Sequence, residues 1–283
     1  METNWKNWIE RLDFKSTKTR RGLVIEMLEK MGIKHEEHNY KTGTNLIVKF
    51  GEAEKYFAVS CHLDRDLASG GANDNASAIA VCLGLAKYFS SKLIFPNLLL
   101  LFFDEEENQL KGSRAYVNKF GYNHIHSLVN LELVGNGENF VLWKTNEPRN
   151  AITKRIEYLV DDFLFEKSTV EDISKEFYLK HLALLMPVFA MYFSDAEAFI
   201  EAGFDNAITI TRIGEKDYIN ARSLMRGDYE TDIETLLTNS ELLKYYHNKK
   251  DNSTVINDFH IKGTINFLIE LIEKYDWYRN NLK

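Results

Sequence analysis

The chain holds 283 residues, with 35 Lys and Arg against 42 Asp and Glu, a net charge of −7. That acidic balance excludes nucleic acid or an anionic membrane as the main partner, since both demand a concentrated basic surface. With 45% hydrophobic and 27% charged residues, and only 3 Pro and 15 Gly, the composition is globular, not disordered, collagenous or membrane-spanning.

In chain order, helical periodicity covers 4–13 and 17–31, and Gly32 supplies a natural stop for the second helix. Lys15, Lys18, Arg20 and Arg21 cluster at its start and read as a solvated face. Strands are expected over 33–40, 44–50 and 55–61. A polar, Gly-rich loop from Arg65 to Ala72 then opens into a helix, with Asn73, Asp74 and Asn75 where capping residues belong. Leu98 to Phe103 is an apolar strand covered on both faces. A helix over 109–120 and a strand over 127–134 follow, then a mostly helical segment around 147–190. A helix after Ser194, a strand over 206–212 and helices near 232–244 and 253–278 complete the chain.

This alternation predicts an α/β fold, a sheet sandwiched between helix layers; no obvious linker divides residues 1–283, and one large domain and two small ones both fit that length. Cys61 and Cys82 are too few for a disulfide scaffold and read as small buried hydrophobes. The N-terminal residues lack the apolar run of a signal peptide, and 98–103 is too short to span a bilayer, so the expected compartment is the cytosol.

In open α/β sheets the ligand site lies beyond the carboxyl ends of the strands, and acids and histidines collect there. His62 and Asp64 close one strand, two apart and so on one face. Asp74 starts the helix after the Gly-rich loop, Asp104 to Glu107 follow the apolar strand, Glu132 interrupts another strand, and His247 ends a late helix. An isolated acidic run is usually a solvated loop, but a carboxylate within Leu128–Gly135 is expected to need a partner or a metal. Two His and three carboxylates suit two adjacent zinc ions, or zinc with a cobalt- or manganese-like neighbour.

In order along the chain, Cys61-His62-Leu63-Asp64, Gly71-Ala72-Asn73-Asp74-Asn75-Ala76-Ser77, Glu106-Glu107 with Leu110, Gly112 and Ser113, Asn130-Leu131-Glu132-Leu133-Val134-Gly135, and Tyr246-His247 with Asp251 resemble the motifs of the M28, aminopeptidase Y-type, zinc peptidases. Ser194 to Gly203 resembles a further segment of that family. Glu105-Glu106 is the competing register for the Glu pair, and it requires a one-residue insertion. Glu132 stands where the family usually has Asp, Gln109 where it has Gly, and Ala196 where it often has His near the substrate pocket.

The resemblance implies a zinc-exopeptidase-like three-layer sandwich with a mixed, mostly parallel sheet, forming one catalytic domain with a helical insertion around 147–190. It implies two Zn2+ ions per chain, with Co2+ or Mn2+ as possible substitutes. Asp74 bridges the ions, His62 and Glu132 complete one, and Glu107 and His247 complete the other. Glu106 is the general base, Asp64 orients His62, Tyr246 faces the oxyanion, and the Asp74–Asn75 peptide is cis. The activity implied is release of N-terminal residues from small peptides. Glutaminyl cyclisation, a carboxypeptidase or amidohydrolase of the same superfamily, and a metal-free binding homologue are the rivals. The specificity pocket is expected within 185–225. The His35-Glu36-Glu37-His38 segment has the wrong spacing for a helical zinc site, and His124 and His126 are expected in an exposed loop.

Overall fold

The computed structural model describes residues 3–92, 96–143, 194–219 and 239–281. The expected helical insertion around 147–190 lies outside them, as does most of the helix expected near 232–244. Two helices open the chain, α1 (Trp5–Glu10) and α2 (Thr17–Lys30). Side chains start both: Asn4 accepts from the Asn7 N–H at 3.0 Å, and Ser16 from the Thr19 N–H at 3.3 Å.

Seven strands follow: β1 (Glu36–Asn39), β2 (Thr44–Phe50), β3 (Tyr56–His62), β4 (Leu98–Phe103), β5 (Ile125–Leu131), β6 (Asn139–Trp143) and β7 (Ala207–Ile213). Between and after them lie α3 (Ser77–Ser90), α4 (Lys111–Phe120), α5 (Asp195–Glu201) and α6 (Asp258–Asn281). The sheet order is β1-β2-β4-β3-β5-β7-β6. The four central strands β4, β3, β5 and β7 pair in parallel, and antiparallel strands flank them at both edges.

Strand β4 explains the layering. Its side chains alternate between two cores, Leu98, Leu100 and Phe102 on one side and Leu99, Leu101 and Phe103 on the other. The first core takes Trp8, Leu28, Leu83 and Leu268 from α1, α2, α3 and α6. The second takes Tyr116 from α4 and Phe199 from α5. Each such fully buried side chain contributes roughly 1.5–3 kcal/mol, so a strand buried on both faces anchors both helix layers at once.

Several expectations are corrected. Strand β6 was not expected; its short run sits at a sheet edge, paired among the described residues with β7 alone. Strand β5 stops at Leu131, so Glu132 is the first residue beyond the strand rather than an interruption of it. Asn73, Asp74 and Asn75 do not cap α3, whose first turn has no side-chain cap. They form an irregular turn over Ala72–Ala76, with a cis peptide between Asp74 and Asn75. Residues 241–247 run as turns, so His247 ends no helix, and its φ of +50° is left-handed. Arg20 is not solvated: it is wholly buried, because α2 turns it inward to donate to the Asp64 and Gly71 carbonyls at 2.7 and 2.8 Å. Arg21 reaches the Asp104 carboxylate at 3.2 Å.

Candidate metal centre

Because β4, β3 and β5 are neighbours and parallel, their carboxyl ends open side by side. His62 ends β3, the acids 104–107 follow β4, and Glu132 follows β5. Asp74 arrives from the turn before α3 and lies between two imidazoles. Its Oδ1 is 3.1 Å from His62 Nε2, and its Oδ2 is 3.3 Å from His247 Nε2. Glu132 Oε2 stands 3.3 Å from His62 Nε2, and Glu107 Oε2 stands 3.1 Å from His247 Nε2. The centre thus has two halves joined by one carboxylate, with Glu132 on the His62 side and Glu107 on the His247 side.

The four acids divide by direction. Asp104 accepts from the Thr44 and Glu105 backbone N–H groups at 3.0 and 2.9 Å, and Glu105 accepts from the Thr42 hydroxyl. These two fasten the loop to the rest of the fold. Glu106 and Glu107 turn toward His62 instead, with one donor atom of each of the three within 4.8 Å of the others. Asp64 holds them there, accepting from the Glu106 and Glu107 N–H groups at 3.0 and 3.1 Å. Its Oδ1 is also 3.3 Å from His62 Nδ1, so the far side of that imidazole faces a carboxylate.

Glu132 is fixed by residues the sequence reading passed over. Asn75 donates to Oε2 at 2.7 Å and Asn130 to Oε1 at 3.0 Å, and the Ser60 hydroxyl orients Asn130 by donating to its Oδ1 at 2.7 Å. Asp66 was missed as well. One of its oxygens falls within 4.8 Å of donor atoms of Glu107 and His247, at the rim of that half. Its two-residue spacing beyond Asp64 was the available signal.

The electrostatics follow from the crowding of acids. Burial lowers the proton affinity of both imidazoles, but the surrounding carboxylates more than reverse this. Glu132 and Glu106 lead in lifting His62 well above the ordinary histidine range. Asp74 and Glu107 lift His247 to about 10. Burial raises Asp74, yet the two imidazoles beside its oxygens bring it below the ordinary carboxylate range. Desolvation pushes Glu106 well above its usual range; His62 opposes this while Glu132, Asp195 and Glu107 add to it. Asp195, wholly buried on α5, is pushed up to about 8 by desolvation.

The donor set fits metal ions. Carboxylates crowd the two imidazoles, and among the described residues His247 Nε2, His62 Nδ1 and Glu107 Oε1 have no hydrogen-bond partner. Imidazole nitrogen with carboxylate oxygen suits zinc, cobalt or manganese.

Tyr246 stacks on the neighbouring His247, ring centroids 3.7 Å apart, and packs against the small cluster of Leu133, Val141, Ile213, Tyr218 and Leu242. Ala196 is packed in the second core at 2% exposure. Of the expected pocket segment 185–225, only 194–219 is described. His38 is buried with its Nδ1 3.1 Å from Asn45 Nδ2, and His124 Nε2 is 2.8 Å from the Tyr116 hydroxyl. Neither they nor His35 and His126 join a ligand group among the described residues.

A family model described as peptidase family M28 matches residues 45–271. A vacuolar membrane protease of Schizosaccharomyces japonicus is 30% identical over 110 residues, covering 38% of this chain and 13% of that protein. One of Candida glabrata is 32% identical over 115 residues, covering 40% and 12%. The chain therefore spans about an eighth of the length of these curated relatives. Among solved structures, the glutaminyl cyclase of Bacteroides thetaiotaomicron aligns with a TM-score of 0.67 at 17% identity, covering 95% of this chain and 96% of that one. A leucine aminopeptidase precursor from the same organism gives 0.65 at 18%, covering 95% of each. The zinc aminopeptidase BSAP of Bacillus subtilis gives 0.57 at 18%, covering 82% of this chain and 50% of that one. At these identities the structural likenesses establish the α/β fold alone. The cytosolic placement expected from the N-terminus is corrected by the curated relatives, which are named vacuolar membrane proteases. Among the described residues no helix is long and apolar enough to cross a membrane.

Proposed function

The chain belongs to peptidase family M28, and from that premise we propose that it is a zinc-dependent aminopeptidase acting on small peptides with a free N-terminus. The observation that carries this reading is Asp74 set between two imidazoles, its oxygens 3.1 and 3.3 Å from His62 and His247, with Glu132 and Glu107 beside them. His62, Asp74 and Glu132 would hold one ion, and Glu107, Asp74 and His247 the other. When bound, such paired ions lower the pKa of a water and polarise the scissile carbonyl.

The chain's own groups supply the rest. Glu106, with its proton affinity raised by its surroundings, takes the proton from the attacking water and passes it to the leaving amine. Asp64 keeps His62 turned and holds the Glu106 backbone in place. Tyr246, next to His247, donates a hydrogen bond from its phenol to the oxyanion of the tetrahedral intermediate. Asp66 adds a carboxylate at the rim of the His247 half, where a free α-ammonium group of the substrate finds a counter-charge.

Glutaminyl cyclisation is the second reading, favoured by the near-complete overlap with the Bacteroides thetaiotaomicron glutaminyl cyclase. The deciding experiment gives the zinc-loaded protein a panel of aminoacyl amides, each beside its N-acetylated twin, together with an N-terminal glutaminyl peptide. An aminopeptidase cleaves only the free-amine set and loses that activity to a chelator. Cleavage of the blocked set points to an amidohydrolase or carboxypeptidase, and ammonia release from the glutaminyl peptide without hydrolysis points to a cyclase.

A further inference from the structure

Two donors of the centre, Asp74 and His247, come from segments far apart in sequence. Asp74 lies on the turn Ala72–Ala76, and His247 on the run of turns ending near Asn252. Their approach of 3.3 Å needs something to hold the two segments together. Asp251 is the group that joins them. One carboxylate oxygen accepts from the Asn73 N–H at 2.6 Å, and the other accepts from the Asp74 N–H and the Ser69 hydroxyl, both at 3.1 Å. Its own N–H donates to the Asn248 carbonyl at 3.0 Å, which closes the turn directly after His247. The residue is 1% exposed.

Two further features show how closely the segments meet. A Cβ on Gly70 would stand 2.2 Å from the Asp251 carbonyl oxygen, so only glycine allows this contact. His247 itself has a φ of +50°, a left-handed conformation that a non-glycine residue keeps only when its surroundings impose it. Asp251 touches no donor atom of the centre. It acts on the backbone of one ligand and on the turn that carries the other.

We infer that Asp251 is a positioning residue that sets the spacing between Asp74 and His247, and so fixes the His247 half of the metal centre. The inference rests on the two-ion reading above. It predicts an asymmetric effect: loosening Asp251 weakens the ion on the His247 side, while the ion on the His62 side keeps His62 and Glu132, neither of which Asp251 holds.

The test is titration of the metal-free full chain with Co2+, following the visible absorption of each equivalent and the heat of binding. His247→Ala and Glu132→Ala mark which band belongs to which half. Asp251→Asn places an amide NH2 where one carboxylate oxygen accepted. It is expected to weaken one equivalent about 10–100-fold, the usual scale for a group that orients a metal ligand. The band that changes is the one altered in His247→Ala, and the band altered in Glu132→Ala stays. Ser69→Ala removes a single donor from the same carboxylate, and it is expected to weaken the same band by a smaller factor even if Asp251→Asn does not fold. Wild-type binding of both equivalents by both variants overturns the inference, as does loss of the two bands in step. A wild-type protein that takes fewer than two ions overturns the two-ion reading as well, so the two failures are told apart.

Discussion

Asp64 takes the backbone N–H of Glu106 onto its carboxylate at 3.0 Å. The same oxygen lies 3.3 Å from His62 Nδ1, and the other oxygen accepts from the Glu107 N–H at 3.1 Å. One side chain therefore faces an imidazole and sets the backbone of both Glu106 and Glu107. Asp64→Asn keeps the volume but turns one acceptor into a donor, so one of these contacts must break. A fall in kcat/KM of about 10–100-fold, with weakened metal retention on dialysis, is expected. Full activity and full metal content in this variant would count against the assignment.

Glu106→Gln tests the base separately from the metals. The amide preserves shape and leaves Glu107 and His247 in place but cannot accept a proton. The expected outcome is a loss in kcat of about 10²–10⁴-fold with the metal content of wild type, measured by elemental analysis beside steady-state kinetics. A variant that loses metal in proportion to activity would make Glu106 a ligand rather than a base.

His62, Glu107 and Glu132 were legible as site candidates in the sequence because each breaks an apolar pattern at or soon after a strand end. His62 closes a strand whose seven residues are all buried, and Glu107 follows another whose six are. What escaped was whatever depends on packing between segments. Asn75 and Asn130 carry no signal of their own until the turn Ala72–Ala76 and β5 set them against Glu132. Arg20 shares its helix start with exposed lysines, and periodicity alone does not tell which side faces the Asp64 and Gly71 carbonyls. Strand β6 is short, and only pairing with β7 makes it a strand. The end of β5 was placed too late because Leu133 and Val134 continue the apolar run in sequence past Glu132, although Leu133 turns to a φ of +56°.

Glu132→Asp asks whether the extra methylene is built into the site. The carboxylate is held at both oxygens, by Asn75 at 2.7 Å and Asn130 at 3.0 Å. Shortening it withdraws the group from these donors or from His62, so one buried amide loses its acceptor at a cost of about 1–3 kcal/mol. The variant is expected to bind metal more weakly on the His62 side and to unfold at lower temperature. An unchanged thermal midpoint and metal affinity would show that either acid serves equally.

The metal-free protein should lose stability as pH rises. The folded state lifts His247 from 6.5 to about 10, against burial, through Asp74 and Glu107. A group raised on folding stabilises the fold fully below its unfolded value, and that contribution disappears as pH passes the folded value. Asp195, raised by burial from 3.8 to about 8, acts in the same direction. Thermal midpoints of the metal-free chain are therefore expected to fall between pH 6.5 and about 10. Metal affinity should rise across the same window, because each ion must displace protons from the imidazoles. Midpoints of the metal-free chain that stay level or climb with pH would contradict the cluster's electrostatics.

Arg20 connects the fold to the site without touching a ligand side chain. Its guanidinium forks between the Asp64 and Gly71 carbonyls, and so ties the two ends of the loop that runs from β3 to the Asp74 turn. Burial lowers its pKa to about 10, against the pull of Asp64, Asp74 and Asp251, and the group stays charged at neutral pH. Removing it leaves two carbonyls and three acids without their shared cation, the situation in which breaking a buried charge interaction costs about 3–5 kcal/mol. Arg20→Met is expected to lower stability by that amount in denaturant titration. Arg20→Lys should recover little, since an ammonium cannot reproduce the planar fork to two carbonyls. If the Met variant unfolds within about 0.5 kcal/mol of wild type, the range of an ordinary surface change, then the loop is held by its other contacts, Asp251 foremost among them.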